Sequence, residues 1–504
     1  MKNKFLLSSL ACISFYTTQA QPSSKLPNII FILADDIGYA DFSCYGAKTI
    51  ATPHIDELAA NGIRFTNAYA PASTSSPSRY ALLTGEYAFR KRVGILPADA
   101  PLTIDPQSNN LPLQLKSSGY TTGIVGKWHL GLGNRNETVD FNKKITAGMR
   151  SVGFDYSYIF PATNDRVPTI FLENDQVVNG DPNDPIKVSY RKKIGNEPTG
   201  KENPDLLTLK YYQGHDGTII NGISRIGWMS GGHKARWNDQ EMGEVLSDQA
   251  VSFIRENKQK PFFLYYATHN AHEPRVPNPK FAGQSKAGIY GDMIEEFDEY
   301  VGRIIETLKK EGIFENTLLI ISSDNAPMIK EGYHDGAEEN IGSHRPCADL
   351  RGAKYSLYEG GTKVPFIVSY PSLVKKPFVQ TQRFSYIDML ATVASITQAK
   401  PYRNSLNDSK DASELFRSPS APVYRDYIIT QNNGGDIAIR KNDWKYIPSK
   451  NELFHLKKDP NEKINLSQTE KGKSIINDLS SLIKNIGNKD IQDDILSLTG
   501  QWGV

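Results

Sequence analysis

Asn28-Ile-Ile-Phe-Ile-Leu33, running directly into Ala34-Asp35-Asp36, decides the fold. The residues after Asn28 are apolar without interruption and mostly isoleucine. A strand exposed on one face would alternate; an unbroken run marks a strand buried on both, as in a parallel sheet covered by helices. Carboxylates at its C-terminal end stand where open α/β sheets place their ligands. The pattern recurs twice: Pro261-Phe-Phe-Leu-Tyr-Tyr-Ala267 leads into Thr268-His-Asn-Ala-His272, and Thr317-Leu-Leu-Ile-Ile-Ser322 leads into Ser323-Asp-Asn325. Between these strands, Met293, Phe297, Val301, Ile304, Ile305 and Leu308 fall at helical spacing over Gly291 to Glu311. That spacing predicts the crossover helix which parallel strands require. The expected class is α/β, with one sheet edge gathering metal and proton chemistry.

Outward from this core, Met1-Lys-Asn-Lys4, the apolar stretch Phe5 to Tyr16 and Thr18-Gln-Ala20 have the three regions of a secretory leader. Residues 1–20 are expected to be removed, leaving a periplasmic or secreted bacterial chain. Lipid attachment at Cys12 is the less favoured alternative. The 58 Lys and Arg nearly match the 56 Asp and Glu, and loss of Lys2 and Lys4 makes them equal. A neutral chain argues against a nucleic-acid partner, whose phosphates call for a basic face. No run after the leader is long and apolar enough to cross a bilayer. Cys44 and Cys347 are too few for a disulfide framework, and unpaired thiols are favoured over one bridge.

The main body is expected over 21–405, closed by a helix from Ile387 to Gln398. Asn134 to about Lys210 is rich in Asn, Asp, Pro and Gly, which predicts loops and hairpins over the site, with strand-like pieces such as Thr169-Ile-Phe-Leu172. The polar stretch Lys400 to Pro422 reads as a linker. Over 423–504, the segments Tyr427–Thr430, Ile437–Arg440, Trp444–Ile447 and Glu452–Leu456, followed by a helix from Ser474 to Ile486, predict a small antiparallel sheet packed by a helix.

Four stretches carry chemistry. Ser75-Ser-Pro-Ser-Arg79, continued by Tyr80-Ala-Leu-Leu-Thr-Gly85, puts a hydroxyl at a proline-started helix, where backbone N–H groups and the dipole favour an anion. Asp35, Asp36, Asp324 and Asn325 are all oxygen donors, the shell that hard cations such as calcium prefer, and no Cys/His cluster suited to zinc accompanies them. Lys127 and His129, in Gly126-Lys-Trp-His-Leu-Gly131, follow an extended segment and face one side of it. His272, in His269-x-x-His272, and Lys354, ahead of the Glu359-Gly-Gly turn, complete the set. Taken singly, each of the last three is as readily surface or structural.

Together they carry a resemblance. Ser75 to Gly85 is similar at every fixed position to the signature of the type I sulfatases, Cys/Ser-x-Pro-Ser-Arg-x-x-x-Leu-Thr-Gly. The resemblance implies an alkaline-phosphatase-like mixed sheet sandwiched by helices. It implies that Ser75 is oxidised to formylglycine by a maturation enzyme and that the hydrate attacks sulfur. Asp35, Asp36, Asp324 and Asn325, with residue 75, would hold calcium. Arg79, Lys127 and Lys354 would supply charge, His129 would take a hydroxyl proton, and His272 would protonate the leaving oxygen. The family usually has Gly where Ala326 follows Asn325, a departure that touches backbone freedom rather than the ligand.

Phe281 to Asp292 resembles N-acetylgalactosamine-6-sulfatase and arylsulfatase A relatives, which implies a sulfated glycan, leaning to an exo-acting enzyme for galactose or N-acetylgalactosamine. Thr163, Asn164, Asp165, Arg166, His215 and Arg275, with His344 and Arg345, are the polar loop candidates for sugar hydroxyls, each equally readable as loop hydrogen bonding. Two other readings compete: a phosphatase or phosphodiesterase of the same superfamily, and a glycan-binding relative whose Ser75 is never oxidised.

Overall fold

The strand Asn28–Ala34 is buried along its whole length. It pairs in parallel with Phe262–Ala267 on one side and Thr317–Ser323 on the other. The computed structural model describes residues 26–402 and 408–487. The expected leader, Cys12 and residues 488–504 lie outside them. Among the described residues ten strands make one sheet. Thr121–Lys127 and Tyr156–Phe160 extend the parallel run beyond Phe262–Ala267. Beyond Thr317–Ser323, the strand Phe366–Ser369 runs antiparallel, which makes the sheet mixed.

Register fixes the active edge. Ala34 lies opposite Ser323, Leu33 opposite Ala267, and Ala267 opposite Gly126. Asp35, Thr268, Asp324 and Lys127 therefore leave the sheet side by side. Alternate residues feed two cores: Ile29, Phe31 and Leu33 pack into one, Ile30, Ile32 and Ala34 into the other. Helices Met242–Asn257 and Gly288–Lys310 cover the second face. Helices Ser75–Thr84 and Met389–Thr397 contribute to the first. Each large side chain so buried contributes about 1.5–3 kcal/mol, and a sheet packed on both faces is a stiff platform for the groups at its edge.

Two expectations change. The stretch from Asn134 to Lys210 is more than loops and hairpins over the site, because Tyr156–Phe160 is a parallel strand of the main sheet. Within Thr169–Leu172 only Leu172 joins a strand, the two-residue Leu172–Glu173. Within the segment read as a linker, Lys400 to Pro422, the described residues 408–422 form a strap on the main body. Leu415 and Phe416 are fully buried, and the Phe416 ring lies 5.7 Å from Phe65 and 5.9 Å from Phe384. Two apolar side chains inside a polar stretch carry too little periodic signal to be seen in advance.

The small antiparallel sheet is present in the order Tyr427–Gln431, Ile437–Lys441, Trp444–Ile447, Glu452–His455. The helix Glu470–Gly487 packs on it through Leu479, Ile483 and Ile486. Ala81, Tyr87 and Phe89 share that cluster, so the small sheet leans on the helix that begins at Ser75. Cys44 and Cys347 are free thiols.

Candidate active site

Ser75 is the first residue of the helix Ser75–Thr84, preceded by extended Thr74 and closed by left-handed Gly85, whose N–H donates to Ala81 O. Every residue of this helix is buried. Ser78 anchors its start by donating to the Asp324 carbonyl at 2.6 Å and by meeting the Tyr386 hydroxyl. Ser75 Oγ is thereby held 3.4 Å from Asp35 Oδ1, 3.4 Å from Asn325 Oδ1 and 3.1 Å from Lys127 Nζ.

The charges around it are paired. Gly126 lets Lys127 enter: its φ is 107°, and a Cβ there would stand 1.8 Å from the Ala267 carbonyl oxygen, so no other residue fits. Lys127 Nζ donates to both Asp35 oxygens, at 2.8 and 2.7 Å. Arg79 donates through Nε at 3.0 Å and NH2 at 2.8 Å to Asp324 Oδ2. Asp324 Oδ1 accepts from the Asp36 backbone at 3.2 Å, and Asn325 Nδ2 donates to Asp36 Oδ1 at 2.6 Å. Lys354 Nζ bridges Asp36 Oδ2 and Glu331 Oε2, 2.8 Å from each. Burial opposes the charges of Asp35, Asp324, Lys127, Arg79 and Lys354. It pushes the Asp35 carboxyl up to about 8 against the pull of Lys127, with Asp324 adding to the rise. Burial also opposes ionised Asp324, but Arg79 and Lys127 outweigh it and hold that carboxyl below its usual range. Asp36 and Glu331 likewise keep Lys354 protonated despite its burial.

Asp35, Asp36 and Asp324 bring one carboxylate oxygen each within 4.8 Å of one another. Asn325 and Ser75 add neutral oxygens beside them. Three carboxylates packed this closely, one of them resisting ionisation, are the chemistry of a site for a hard divalent cation. The oxygen-only donor set suits calcium.

Two imidazoles lie within reach of the Lys127 charge. His129 Nε2 lies 3.0 Å from the Leu96 carbonyl, while its Nδ1 is buried with no partner among the described residues. His272 Nδ1 lies 2.6 Å from the Glu273 carbonyl, which assigns that nitrogen the proton and leaves Nε2 open, 3.9 Å from Asp36 Oδ2. Burial pushes His272 down to about 3, with Lys354 and Lys127 adding to it. Burial and Lys127 also hold His129 well below its ordinary value.

The loop candidates divide. Asp165 meets the Thr163 hydroxyl and lies 3.0 Å from His215 Nε2. Burial opposes both charges of this pair, yet the mutual contact keeps the Asp165 carboxyl low and the His215 imidazole high. Asn164 Nδ2 donates to the carbonyls of His272 and Pro274, which ties this loop to the His272 segment. Arg166 donates to the same Leu96 carbonyl that faces His129. Thr163 to Arg166 and His215 thus border the two imidazoles.

Arg275 does not fit the sugar-contact expectation. It is fully buried and its donors go to Glu273, Asp335 and the carbonyls of Ala271, Met328 and Ile329. His344 is turned to Asp41 Oδ1 at 2.7 Å, and Arg345 is exposed and paired with Asp349 on its own segment. Loop arginines and histidines look alike in a sequence whether they face a ligand or brace a turn. Glu331 was missed. In Ile329-Lys-Glu-Gly332 it reads as surface charge, and the only hint was its nearness to the Asp324-Asn325 strand end.

A mixed α/β sheet whose edge sets carboxylates, buried cations and two imidazoles around a helix-starting hydroxyl defines an ester hydrolase of the alkaline-phosphatase-like architecture. A protein-family profile described as Sulfatase matches residues 27–399. The chain is 45% identical over 483 residues to an N-acetylgalactosamine-6-O-sulfatase of Bacteroides thetaiotaomicron, covering 92% of this chain and 94% of that one. Human arylsulfatase A is 28% identical over 438 residues, covering 84% of this chain and 75% of its own length. A solved structure from work on the metabolism of multiple glycosaminoglycans by Bacteroides thetaiotaomicron superimposes with a TM-score of 0.89 at 45% identity, over 92% of this chain and all of the other. This chain belongs to the sulfatase family and is a sulfuric ester hydrolase. Among the described residues no helix is long and apolar enough to cross a membrane.

Proposed function

We propose that the chain is an exported, exo-acting glycan sulfatase that removes sulfate from a galacto-configured sugar, N-acetylgalactosamine or galactose, matured at Ser75 by a partner enzyme. The observation that carries this is the Asp165–His215 pair set beside His272. It is supported by the near full-length likeness to a relative named for N-acetylgalactosamine-6-O-sulfate.

Formylglycine at residue 75 supplies a hydrated aldehyde whose hydroxyl is the nucleophile, and calcium supplies positive charge for the sulfate oxygens. The chain's own residues do the rest. Arg79 holds Asp324 ionised and oriented. Lys127 and Lys354 present ammonium groups to sulfate, where positioned cations matter more than covalent chemistry. His129 offers its unpaired Nδ1 to a hydroxyl proton. His272, once protonated at both nitrogens, donates from Nε2, since its Nδ1–H is already given to the Glu273 carbonyl. Burial depresses His272 in the free site, with Lys354 and Lys127 adding to it, and an arriving sulfate offsets the part due to those two charges, which shifts the imidazole toward its protonated form.

The sulfate subsite occupies the shared residues, which leaves Thr163 to Arg166 and His215 to sense hydroxyl orientation. A site built to hydrogen-bond a hydroxyl strongly rejects analogues that lack it, because its buried groups go unpaired. Screening sulfated galactose, N-acetylgalactosamine, glucose and N-acetylglucosamine isomers is expected to show galacto preference with the 6-sulfate best. Indifference to the axial hydroxyl, or preference for a glucosamine sulfate, would overturn the sugar assignment while leaving sulfatase chemistry standing.

Calcium, not zinc, is expected to restore activity after chelation. Among the described residues the one grouping with nitrogen, Asp36, His272 and Glu331, could suit zinc by donor type, but Lys354 Nζ already stands 2.8 Å from both carboxylates. Recovery with zinc and not calcium would overturn the calcium assignment.

A further inference from the structure

Lys354 does not stand free in the site. Its ammonium is shared between Asp36 and Glu331, and the second Glu331 oxygen accepts from the Tyr355 hydroxyl. Asp36 is one of the carboxylates suited to the cation, so its charge is divided once that site fills. Glu331 is then the anion still committed to Lys354. The Glu331 loop is in turn placed by the neighbour of His272. The Glu273 carboxylate accepts from three successive backbone amides, those of Glu331 at 3.1 Å, Gly332 at 2.5 Å and Tyr333 at 3.0 Å. Arg275 braces the same carboxylate at 3.1 Å and donates to the carbonyls of Met328 and Ile329 just ahead of Glu331. The segment bearing His272 and the segment bearing Glu331 are therefore stitched together by Glu273 and Arg275.

We propose that Glu331 is a positioning residue that fixes Lys354 relative to His272, so that ammonium and imidazole meet the same leaving oxygen. The inference rests on the sulfatase mechanism given above. A carboxylate next to an anion pocket weakens ground-state binding of sulfate by simple repulsion. Its presence is useful only if it strengthens an interaction in the transition state, where charge grows on the leaving oxygen. Glu331 therefore acts in opposite directions on binding and on turnover. A brace that merely held the fold would move both the same way.

The test uses the mature, calcium-loaded enzyme and compares wild type with Glu331→Gln and Glu331→Ala. It reads kcat on N-acetylgalactosamine 6-sulfate and on 4-nitrophenyl sulfate, calorimetric binding of inorganic sulfate, and the calcium-induced rise in Tm. Displacing Lys354 is expected to lower kcat on the sugar sulfate about 10- to 100-fold. The aryl ester, which needs little protonation, is expected to change far less. Inorganic sulfate is expected to bind several-fold more tightly, with the calcium-induced rise in Tm retained. Glu331→Gln, which still accepts a hydrogen bond, should fall between wild type and Glu331→Ala. Equal losses on both esters, weaker sulfate binding or unchanged kinetics would each overturn the positioning role. A matured wild-type enzyme that cleaves neither ester would instead overturn the sulfatase mechanism on which that role depends.

Discussion

Ser75→Ala is expected to abolish sulfate-ester hydrolysis, by roughly 10⁴–10⁶-fold in kcat, as removal of other catalytic nucleophiles does, while Tm barely moves. The structure explains the second half of that expectation. Ser75 Oγ makes only long contacts, 3.1 Å to Lys127 and 3.4 Å to Asp35 and Asn325, while Lys127 keeps its two shorter bonds to Asp35. The helix start is pinned instead by Ser78, through the Asp324 carbonyl and Tyr386. Deleting one hydroxyl leaves that anchor intact. The unmodified serine should be nearly as inactive as the alanine variant, since its hydroxyl would be left as a stable sulfate ester with no second hydroxyl to expel sulfate. Protein made with and without a maturation enzyme, each digested and weighed around residue 75, checks this directly. Activity should follow the fraction that has lost two hydrogens. Full turnover of the sulfate ester by protein that is serine throughout would sink the formylglycine mechanism.

The parallel core was legible because its strands are continuous apolar runs ending in Asp35-Asp36, Thr268 to His272 and Asp324-Asn325, and strand ends in register must lie together. What placed Ser75 beside them was the helix-start chemistry of Pro77 and the eleven-residue signature. The strap at Leu415-Phe416 escaped detection because burial there depends on Phe65, Phe366 and Phe384, far away in the chain. Arg275 and Glu331 exchanged the parts their residue types suggested. An arginine near the site became a buried clamp on backbone carbonyls, and an acid in a charged loop reached Lys354. Side-chain direction in loops is set by tertiary partners, which local composition does not encode.

His272→Ala should cost sugar sulfates far more than activated aryl sulfates. An alkoxide leaves poorly, so a positioned acid is worth about 10²–10⁴-fold, whereas a nitrophenolate leaves with little help. The geometry sharpens this contrast. His272 Nδ1–H is given to the Glu273 carbonyl, and its open Nε2 faces Asp36 at 3.9 Å, so the proton gained on forming the imidazolium can leave in one direction only. Lys354→Ala should show the same bias with an added binding defect, because it also leaves Asp36 and Glu331 facing one another without the ammonium between them. Losing one partner of a buried ion pair strands the other charge, which is strongly destabilising. Its aryl-sulfate kinetics should therefore show a raised KM and its Tm should fall, whereas His272→Ala should keep both near wild type on the aryl ester. Measuring kcat and KM for both variants on N-acetylgalactosamine 6-sulfate and on 4-nitrophenyl sulfate separates the two roles. Equal losses on the two esters for His272→Ala would mean that this imidazole only binds sulfate, and the acid would have to be sought on the Asp165–His215 side of the site.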